Sequence, residues 1–215
     1  MDGNVLCKEL TDCLMTILPV AYMPSVEYVA RLLREECVVD LGEHYVKRSQ
    51  RNRAQILSAN GVMSLTVNVE NANRPRQRMR DVKIDYSKRW QHQHWLSIVS
   101  GYKSSPYFDH YAHLLEPFYK REWSFLVDYD LEYIRVLLRL LGIEERLNLS
   151  ERYVVADDGD LDLRPKQNEG STFVAEPYFQ VFSDRMPFAA NLSVIDLLMC
   201  EGPESVSAVL MRCGL

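Results

Sequence analysis

A strand–helix–strand pattern near the amino terminus limits the fold of this chain more than any other feature. Residues 14–20 form a short apolar run typical of a buried strand, and residues 37–41 form a second one. Between them, Ser25 can cap a helix whose apolar positions share one face: Val26, Val29, Ala30 and Leu33. Two strands joined by one helix pair in parallel, so we predict an α/β fold built on a parallel sheet.

Residues 54–69 are typical of an antiparallel hairpin. At their centre stands Asn60-Gly61, the dipeptide that best suits a two-residue type I′ turn. After this turn apolar residues alternate with polar ones, which predicts one buried face: Met63, Leu65, Val67 and Val69. A polar loop follows at 70–81. The sequence therefore predicts a βαβ opening with a mixed sheet and an antiparallel hairpin extension.

Helical patterns dominate the remainder and predict a helical C-terminal half. The first helix would be capped by Ser87 and has one row with four-residue spacing: Trp90, His94, Ile98 and Tyr102. Proline or capping residues mark three further helix starts: Pro106, Asp128 or Asp130, and the capping box Ser193 with Asp196. Gly142 and Gly202 would end two of these helices. The polar segment 157–172 is predicted to be a mobile surface loop within one domain spanning residues 1–215.

The charge of the chain is distributed unevenly. Residues 47–89 contain eleven Lys or Arg and three Asp or Glu, a net charge of +8, whereas the whole chain carries −5. All other residues together therefore carry −13. An acidic protein with positive charge gathered in one stretch would attract anions locally. The alternative is that these arginines and lysines belong to a solvated surface.

Two segments are candidates for binding such an anion. The first, residues 21–25, lies between the first strand and the first helix, where free helix N–H groups favour anions. The second follows the second strand and is rich in side chains that donate hydrogen bonds: Tyr45, Lys47, Ser49, Arg51, Asn52 and Arg53. Arginine binds phosphate or carboxylate through two parallel hydrogen bonds. The alternative for the second segment is a solvated loop that leads into the hairpin.

Two histidines in the first predicted C-terminal helix invite a metal interpretation, which the spacing disfavours. His92 and His94 are two residues apart, and on a helix their side chains point about 200° apart. They would not share an ion, so we predict no metal site. His94 shares its face with Trp90 and Ile98, which leaves two roles open: a core histidine or an acid or base in a pocket.

Other sequence signals narrow the class of protein. The chain contains no nucleophile elbow, phosphate-binding loop or dinucleotide-binding glycine motif, so no reaction is indicated. Its five cysteines are scattered, which favours small core residues in a reducing compartment. The chain shows no signal-peptide pattern and no apolar run near the ~18 residues of a membrane helix, so we expect a cytoplasmic protein without membrane insertion.

Several segments in combination resemble the WbqC-like family. They are residues 18–24 (LPVAYMP), 45–53 (YVKRSQRNR), 94–95 (HW), 102–108 (YKSSPYF) and 191–198 (NLSVIDLL). The resemblance implies a bacterial protein, with some members in gene clusters that build O-antigen and other surface polysaccharides. It also implies a set of functional positions: Tyr22, Tyr45, Lys47, Ser49, Asn52, Arg53 and His94.

These observations lead to one preferred hypothesis and two alternatives. We expect a transferase for an activated sugar, such as a nucleotide sugar, or for another phosphorylated small molecule. Lys47 and Arg53, with Arg51 as a third candidate, would hold the anion, and His94 would be the acid or base. A nucleic-acid-binding module is disfavoured because the basic segment lacks interleaved aromatics and the remaining chain is acidic. A non-catalytic assembly partner for glycan enzymes is the other alternative. The sequence does not show whether the protein uses a cofactor, or which one.

Overall fold

The computed structural model describes residues 15–143, 147–165 and 172–215. In chain order its strands and helices are β1 (Thr16–Pro19), α1 (Val26–Arg34), β2 (Cys37–Asp40), β3 (Arg53–Ser58), β4 (Gly61–Thr66), α2 (Trp90–Tyr102), α3 (Phe108–Leu115), α4 (Leu126–Leu140), β5 (Leu149–Ser150), β6 (Leu161–Asp162) and α5 (Val194–Leu210). The predicted α/β class, with a parallel sheet, a separate antiparallel hairpin and a helical C-terminal half, is confirmed.

The parallel sheet has the order β5-β2-β1-β6, and each neighbouring pair is parallel. All residues of β1 and β2 are buried, as expected for parallel strands covered on both faces. The edge strand β6 lies within the segment 157–172 that we expected to be a loop, and Leu163, just after it, is buried. Residues 166–171 of that segment lie outside the described residues.

Helix α1 begins where the sequence predicts. The Oγ atom of Ser25 accepts a hydrogen bond from the backbone N–H of Tyr28 at 3.3 Å, so Ser25 is the N-cap. Residues 26–31 of α1 are all buried, whereas Leu33 of the predicted apolar face is only half-buried, and the helix packs against α5. This burial extends to an ion pair between Arg31 and Glu27, whose atoms Nε and Oε1 are 3.1 Å apart.

The hairpin forms as predicted, but its turn does not. Strands β3 and β4 pair from Arg53 with Thr66 to Ser58 with Gly61, so the two connecting residues are Ala59 and Asn60. Gly61 has a φ of +104°, whereas Asn60 has a negative φ. A type I′ turn needs positive φ at both central residues, so the predicted turn type is wrong. Near this tip Met63 is 37% exposed, because the end of the hairpin extends beyond the core.

Helix α2 confirms the predicted buried row, but α2 and α4 both begin elsewhere than predicted. The row from Trp90 to Tyr102 is buried, yet Ser87 is not its cap. The backbone N–H of Ser87 donates to Asp85 instead, at 2.8 Å. Helix α4 begins at Leu126, whose N–H donates to the carbonyl of Val82 at 2.9 Å, so a backbone carbonyl of a neighbouring loop segment takes the place of a capping side chain.

Of the two remaining helices, α3 begins later than predicted, whereas α5 begins at Val194, directly after Ser193 as predicted, but without the predicted capping box. Helix α3 begins at Phe108 rather than at Pro106. Ser193 and Asp196 form no capping box, since the N–H of Ser193 donates to the carbonyl of Gln55 at 2.7 Å. Helix α5 is interrupted at Gly202, where φ is +73°, but helical backbone resumes and continues to Leu210.

Two further sequence-based expectations concern the cysteines and membrane-spanning helices. Cys37, Cys200 and Cys213 are buried free thiols, while Cys7 and Cys13 lie outside the described residues. Within the described ranges, every helix is too short or too polar to cross a bilayer.

Candidate functional site

The amino terminus of α1 is closed by the chain itself. The N–H of Val26 donates to the carbonyl of Leu192 at 2.9 Å, and the N–H of Glu27 donates to Oδ1 of Asn191 at 3.0 Å. Residues 21–24 in front of the helix are buried. The free N–H groups that we expected at this position are therefore already satisfied, and the helix end is not open to an anion.

The carboxyl edge of the parallel sheet is the usual ligand position in open α/β sheets, and between the ends of β2 and β6 it is filled by an ion network. Nη1 of Arg164 lies 2.5 Å from Oδ2 of Asp40, and Nη2 lies 2.6 Å from Oδ2 of Asp162. Nε of Arg51 lies 2.9 Å from Oε1 of Glu43, and Nη2 of Arg51 donates to the carbonyl of Arg164 at 3.1 Å. Between β2 and β6, side chains of the protein thus occupy the position in which a ligand of an open α/β sheet would bind.

Burial of this network shifts the pKa of one of its acids, Glu43. Burial raises the pKa of Glu43 to about 7, although the adjacent guanidinium of Arg51 acts in the opposite direction. The side chains of Arg51 and Glu43 are each 2% exposed. Arg51 therefore stabilises a buried carboxylate, and its guanidinium faces the protein interior.

Ser49 and Asn52 also form bonds within the protein. The hydroxyl of Ser49 donates to the carbonyl of Val46 at 2.5 Å. Oδ1 of Asn52 accepts from the N–H of Arg48 at 3.1 Å, and Nδ2 donates to the carbonyl of Val67 at 3.0 Å. These bonds attach the basic segment to the hairpin and fix the backbone that carries Lys47 and Arg48.

One cavity of about 370 Å³, here named the Tyr45 cavity, opens beside this segment. Its lining residues are Tyr45, Lys47, Arg48, Asn52, Thr66, Val67, Asn68, Val69, Ala72, Asn73, Asp85 and Lys88. The hydroxyl of Tyr45 is buried and has no hydrogen-bond partner in the described part of the chain. Burial raises the pKa of Tyr45 to about 12, so the hydroxyl is a neutral donor at pH 7.

A second cavity of about 310 Å³, here named the Arg53 cavity, adjoins the first. Its lining residues are Ser25, Arg48, Ser49, Gln50, Arg53, Gln55 and Asn191. Arg48 lines both cavities, and Nε of Arg53 donates to Oγ1 of Thr66 at 3.1 Å across the boundary between them. Five of the seven predicted ligand residues are thus divided between two adjoining spaces, whereas Tyr22 and Arg51 line neither.

Tyr22 and His94 lie in a buried aromatic cluster and line neither cavity. The hydroxyl of Tyr22 is 2.9 Å from Nδ1 of His94 and 3.3 Å from the hydroxyl of Tyr119. Burial lowers the pKa of His94 to about 4, with a hydrogen bond to the backbone of Thr66 acting in the opposite direction. His94 is therefore neutral at pH 7 and lies behind Thr66, which lines the Tyr45 cavity.

Sequence reasoning did not single out six polar residues of the Tyr45 cavity: Arg48, Thr66, Asn68, Asn73, Asp85 and Lys88. A signal for Asn68 was present, since it stands with Thr66 on the polar side of the alternation that follows the hairpin turn. Lys88 belongs to the basic segment already counted. The bridge between Val69 and Ile84, which brings 85–88 beside 66–69, is a long-range pairing that the sequence does not specify.

A parallel α/β sheet with an ion network joining the carboxyl ends of β2 and β6, and polar cavities along an attached hairpin, define the structural class of this protein. The chain belongs to the WbqC-like protein family, whose sequence profile matches residues 20–174. That range contains every candidate site residue named above from Tyr22 to His94.

One curated relative gives a second comparison. The chain is 30% identical over 124 residues to the Mycobacterium tuberculosis protein named Uncharacterized protein Rv1507c, a match that covers 57% of this chain and 53% of the relative. The chain thus spans about half the length of the curated relative that it matches. No solved structure matches the chain with a significant score.

Proposed function

We propose that this protein is a transferase that binds an activated sugar, such as a nucleotide sugar, in the Tyr45 and Arg53 cavities and serves in bacterial surface polysaccharide (O-antigen) synthesis. The observation that carries the proposal is the lining of the Tyr45 cavity. Three cationic side chains, Lys47, Arg48 and Lys88, line it together with the hydroxyl-bearing Thr66 and the carboxamides of Asn68 and Asn73. Cations bind phosphate, while hydroxyl and carboxamide groups bind sugar hydroxyls.

The two cavities would divide the ligand between them. Phosphate would lie next to Arg48, the residue common to both cavities, within reach of Lys47 and Arg53. Nζ of Lys47 donates to Oδ1 of Asn73 at 2.7 Å, which holds the ammonium group at the cavity and leaves it further N–H donors. The sugar would occupy the remaining space of the Tyr45 cavity.

Asp85 would orient a hydroxyl of the sugar or of the acceptor. It is the carboxylate among the residues that line the Tyr45 cavity. A hydrogen bond from the backbone N–H of Ser87 lowers the pKa of Asp85, so the side chain is ionised at pH 7 and accepts hydrogen bonds. His94 would act through Thr66, as a positioning residue, because it is neutral and lies behind the cavity wall.

Calorimetric titration of the intact chain with a nucleotide sugar, its nucleoside diphosphate and the free sugar tests the proposal. We expect saturable binding of the first two, weakened about tenfold by Lys47→Ala or Arg53→Ala through loss of a charge-assisted hydrogen bond. Lys83→Ala is the matched control, since Lys83 is exposed in the same basic segment and lines neither cavity. Equal weakening by Lys83→Ala, or binding of oligonucleotides alone, contradicts the proposal.

A further inference from the structure

A third cavity, of about 360 Å³, lies on the other side of the chain segment that carries Tyr45. We name it the Arg80 cavity, and its lining residues are Leu41, Gly42, His44, Arg78, Arg80, Glu151, Arg152 and Tyr153. None of these residues belongs to the Tyr45 or Arg53 cavity. The Arg80 cavity is therefore a separate space, and the function proposed above does not use it.

A short antiparallel pairing explains why these side chains face one another. Residues 43–45 run beside residues 77–79, with the N–H of Tyr45 donating to the carbonyl of Gln77 at 2.8 Å. Alternate residues of the two segments are buried: Glu43, Tyr45, Gln77 and Met79. The intervening residues are exposed, and His44 forms a bridge with Arg78. The alternation that buries Tyr45 therefore directs His44 and Arg78 to the opposite side.

The other wall of the cavity is held close by a glycine. A Cβ atom on Gly42 would lie 2.1 Å from the backbone nitrogen of Tyr153, so a larger residue at this position would displace residues 152–153. The N–H of Val154 also donates to Oδ2 of Asp40 at 3.2 Å. The backbone that carries Arg152 and Tyr153 is therefore fixed against the sheet.

The ring of Tyr153 is supported from one face. The guanidinium carbon of Arg164 lies 4.4 Å from the ring centroid, and Arg164 is itself held by Asp40 and Asp162. Tyr153 nevertheless remains 56% exposed. A flat aromatic surface, positioned in advance, thus borders the cavity and is accessible to a planar ring.

The charges of the cavity are not balanced by the protein. Arg78, Arg80 and Arg152 carry three positive charges against one negative charge on Glu151, and in the described part of the chain none of the three arginines has an ion-pair partner. Arg51 and Arg164, by contrast, are both paired with acids. Like charges around one space repel each other, and a bound dianion would relieve that repulsion.

We infer that the Arg80 cavity is a second binding site, which takes a phosphorylated ligand with a planar ring, such as a mononucleotide. The phosphate would be bound by Arg78, Arg80 and Arg152, and the ring would stack on Tyr153. The site does not depend on the activity proposed for the Tyr45 cavity. Its occupancy would therefore be detectable in a protein whose Tyr45 cavity is disabled.

Calorimetric titration of the intact chain with adenosine monophosphate, ribose 5-phosphate and adenosine tests this inference. The Lys47→Ala variant serves as the parent protein, so that binding in the Tyr45 cavity is weakened. We expect both phosphorylated compounds to bind and adenosine to bind at least about tenfold more weakly. Arg80→Gln is expected to weaken both phosphorylated compounds about tenfold, because it removes a charge-assisted contact.

Two further variants separate this site from a diffuse electrostatic effect. Arg74→Gln is the matched control, since Arg74 is an exposed arginine in the same loop and does not line the cavity. Tyr153→Leu is expected to weaken adenosine monophosphate but to leave ribose 5-phosphate unchanged, because only the former has a ring to stack. Equal weakening by Arg74→Gln and Arg80→Gln, binding of neither phosphorylated compound, or binding of a single-stranded oligonucleotide alone would overturn the inference.

Discussion

The hydroxyl of Tyr22 donates a hydrogen bond to Nδ1 of His94 over 2.9 Å, in a region where both side chains are at most 5% exposed. Burial raises the pKa of Tyr22, so its phenol keeps its proton. The bond to the backbone of Thr66 raises the pKa of His94, so a ring N–H donates there; because Nδ1 faces Tyr22, that N–H is Nε2, and Nδ1 of the neutral ring accepts from Tyr22. The imidazole is thus held in one neutral tautomer.

This arrangement predicts that His94 destabilises the fold in mild acid. His94 has a pKa of about 4 in the fold, whereas an imidazole in an unfolded chain titrates near 6.5. Between these values the unfolded state binds more protons at this ring, so the contribution of His94 to the free energy of unfolding falls as the pH drops from 6.5 towards 4. Glu43, whose pKa burial raises to about 7, acts in the opposite direction over the same range. The full His94 shift corresponds to ~3 kcal/mol, and urea unfolding of the natural protein and of His94→Gln at about pH 7 and about pH 5 measures its share as a difference.

Replacement of His94 isolates its share of this pH dependence. Relative to the natural protein, His94→Gln is expected to gain unfolding free energy as the pH falls from about 7 to about 5, whatever its effect near pH 7. His92→Gln is the control, because His92 is exposed on the same helix. This substitution is expected to leave the pH dependence of stability unchanged. An undiminished dependence in His94→Gln would show that another group titrates.

A second prediction concerns the buried pair of Arg51 and Glu43. Arg51→Met leaves the carboxyl group of Glu43 buried without its cation, which we expect to cost about 3–5 kcal/mol of unfolding free energy. Adding Glu43→Gln is expected to recover part of that loss, since the remaining side chain is neutral. Urea unfolding of both single variants and the double variant measures the coupling. Arg48→Met, at an exposed arginine, is expected to change stability by less than about 0.5 kcal/mol.

Arg51 also shows which features of the site could not be predicted from the sequence. Local patterns predicted β1, the Ser25 cap of α1 and the buried row on α2, because these depend on neighbours within a few residues. The basic segment looked uniform in the sequence, yet Arg51 is buried while Lys47 and Arg48 are exposed. The difference depends on Glu43 and on the carbonyl of Arg164, the latter 113 residues away.

The ligand cavities could not be predicted from the sequence because they too depend on long-range contacts. The sequence indicated the basic side of the Tyr45 cavity, but its other side comes from residues 85–88, which approach through a single bridge between Val69 and Ile84. Strand β6 has only two residues, too few to show an alternation, within a segment rich in aspartate. Long-range contacts of this kind decide the site, and composition does not encode them.

A third prediction concerns Asp130 in α4, which is fully buried. Neither of its carboxylate oxygens has a hydrogen-bond partner within the described residues, and burial raises its pKa well above the usual value. The folded state therefore keeps a proton that the unfolded state releases above about pH 4, so stability from this group falls as the pH rises. Asp130→Asn is expected to remove this dependence and to gain stability relative to the natural protein as the pH rises.

Urea unfolding of both proteins from about pH 5 to about pH 8 checks this sign. Asp128→Asn provides the matched control, because Asp128 is exposed in the first turn of the same helix. The difference in unfolding free energy between Asp128→Asn and the natural protein is expected to be independent of pH over this range. If Asp130→Asn became relatively less stable with rising pH, the buried carboxyl group would have to be ionised and paired.

The last prediction concerns Asn191, which closes the amino terminus of α1. Its Oδ1 accepts from the N–H of Glu27 at 3.0 Å, and its Nδ2 donates to Oε2 of Glu27 at 3.1 Å. Its φ is +55°, a left-handed conformation that asparagine adopts more readily than most residues. Asn191→Ala is therefore expected to lose stability through the lost cap, by about 1–2 kcal/mol, and through backbone strain.

Asn71 separates these two contributions. It has nearly the same φ, +50°, but its side chain is exposed, so Asn71→Ala measures the backbone cost alone. Asn191→Gly and Asn71→Gly complete the comparison, because glycine removes the side chain without strain. In urea unfolding we expect Asn191→Gly to remain destabilising and Asn71→Gly to be neutral or stabilising. Equal effects at the two positions would mean that the bonds to Glu27 contribute nothing, and that the end of α1 stays closed through the backbone of Leu192 alone.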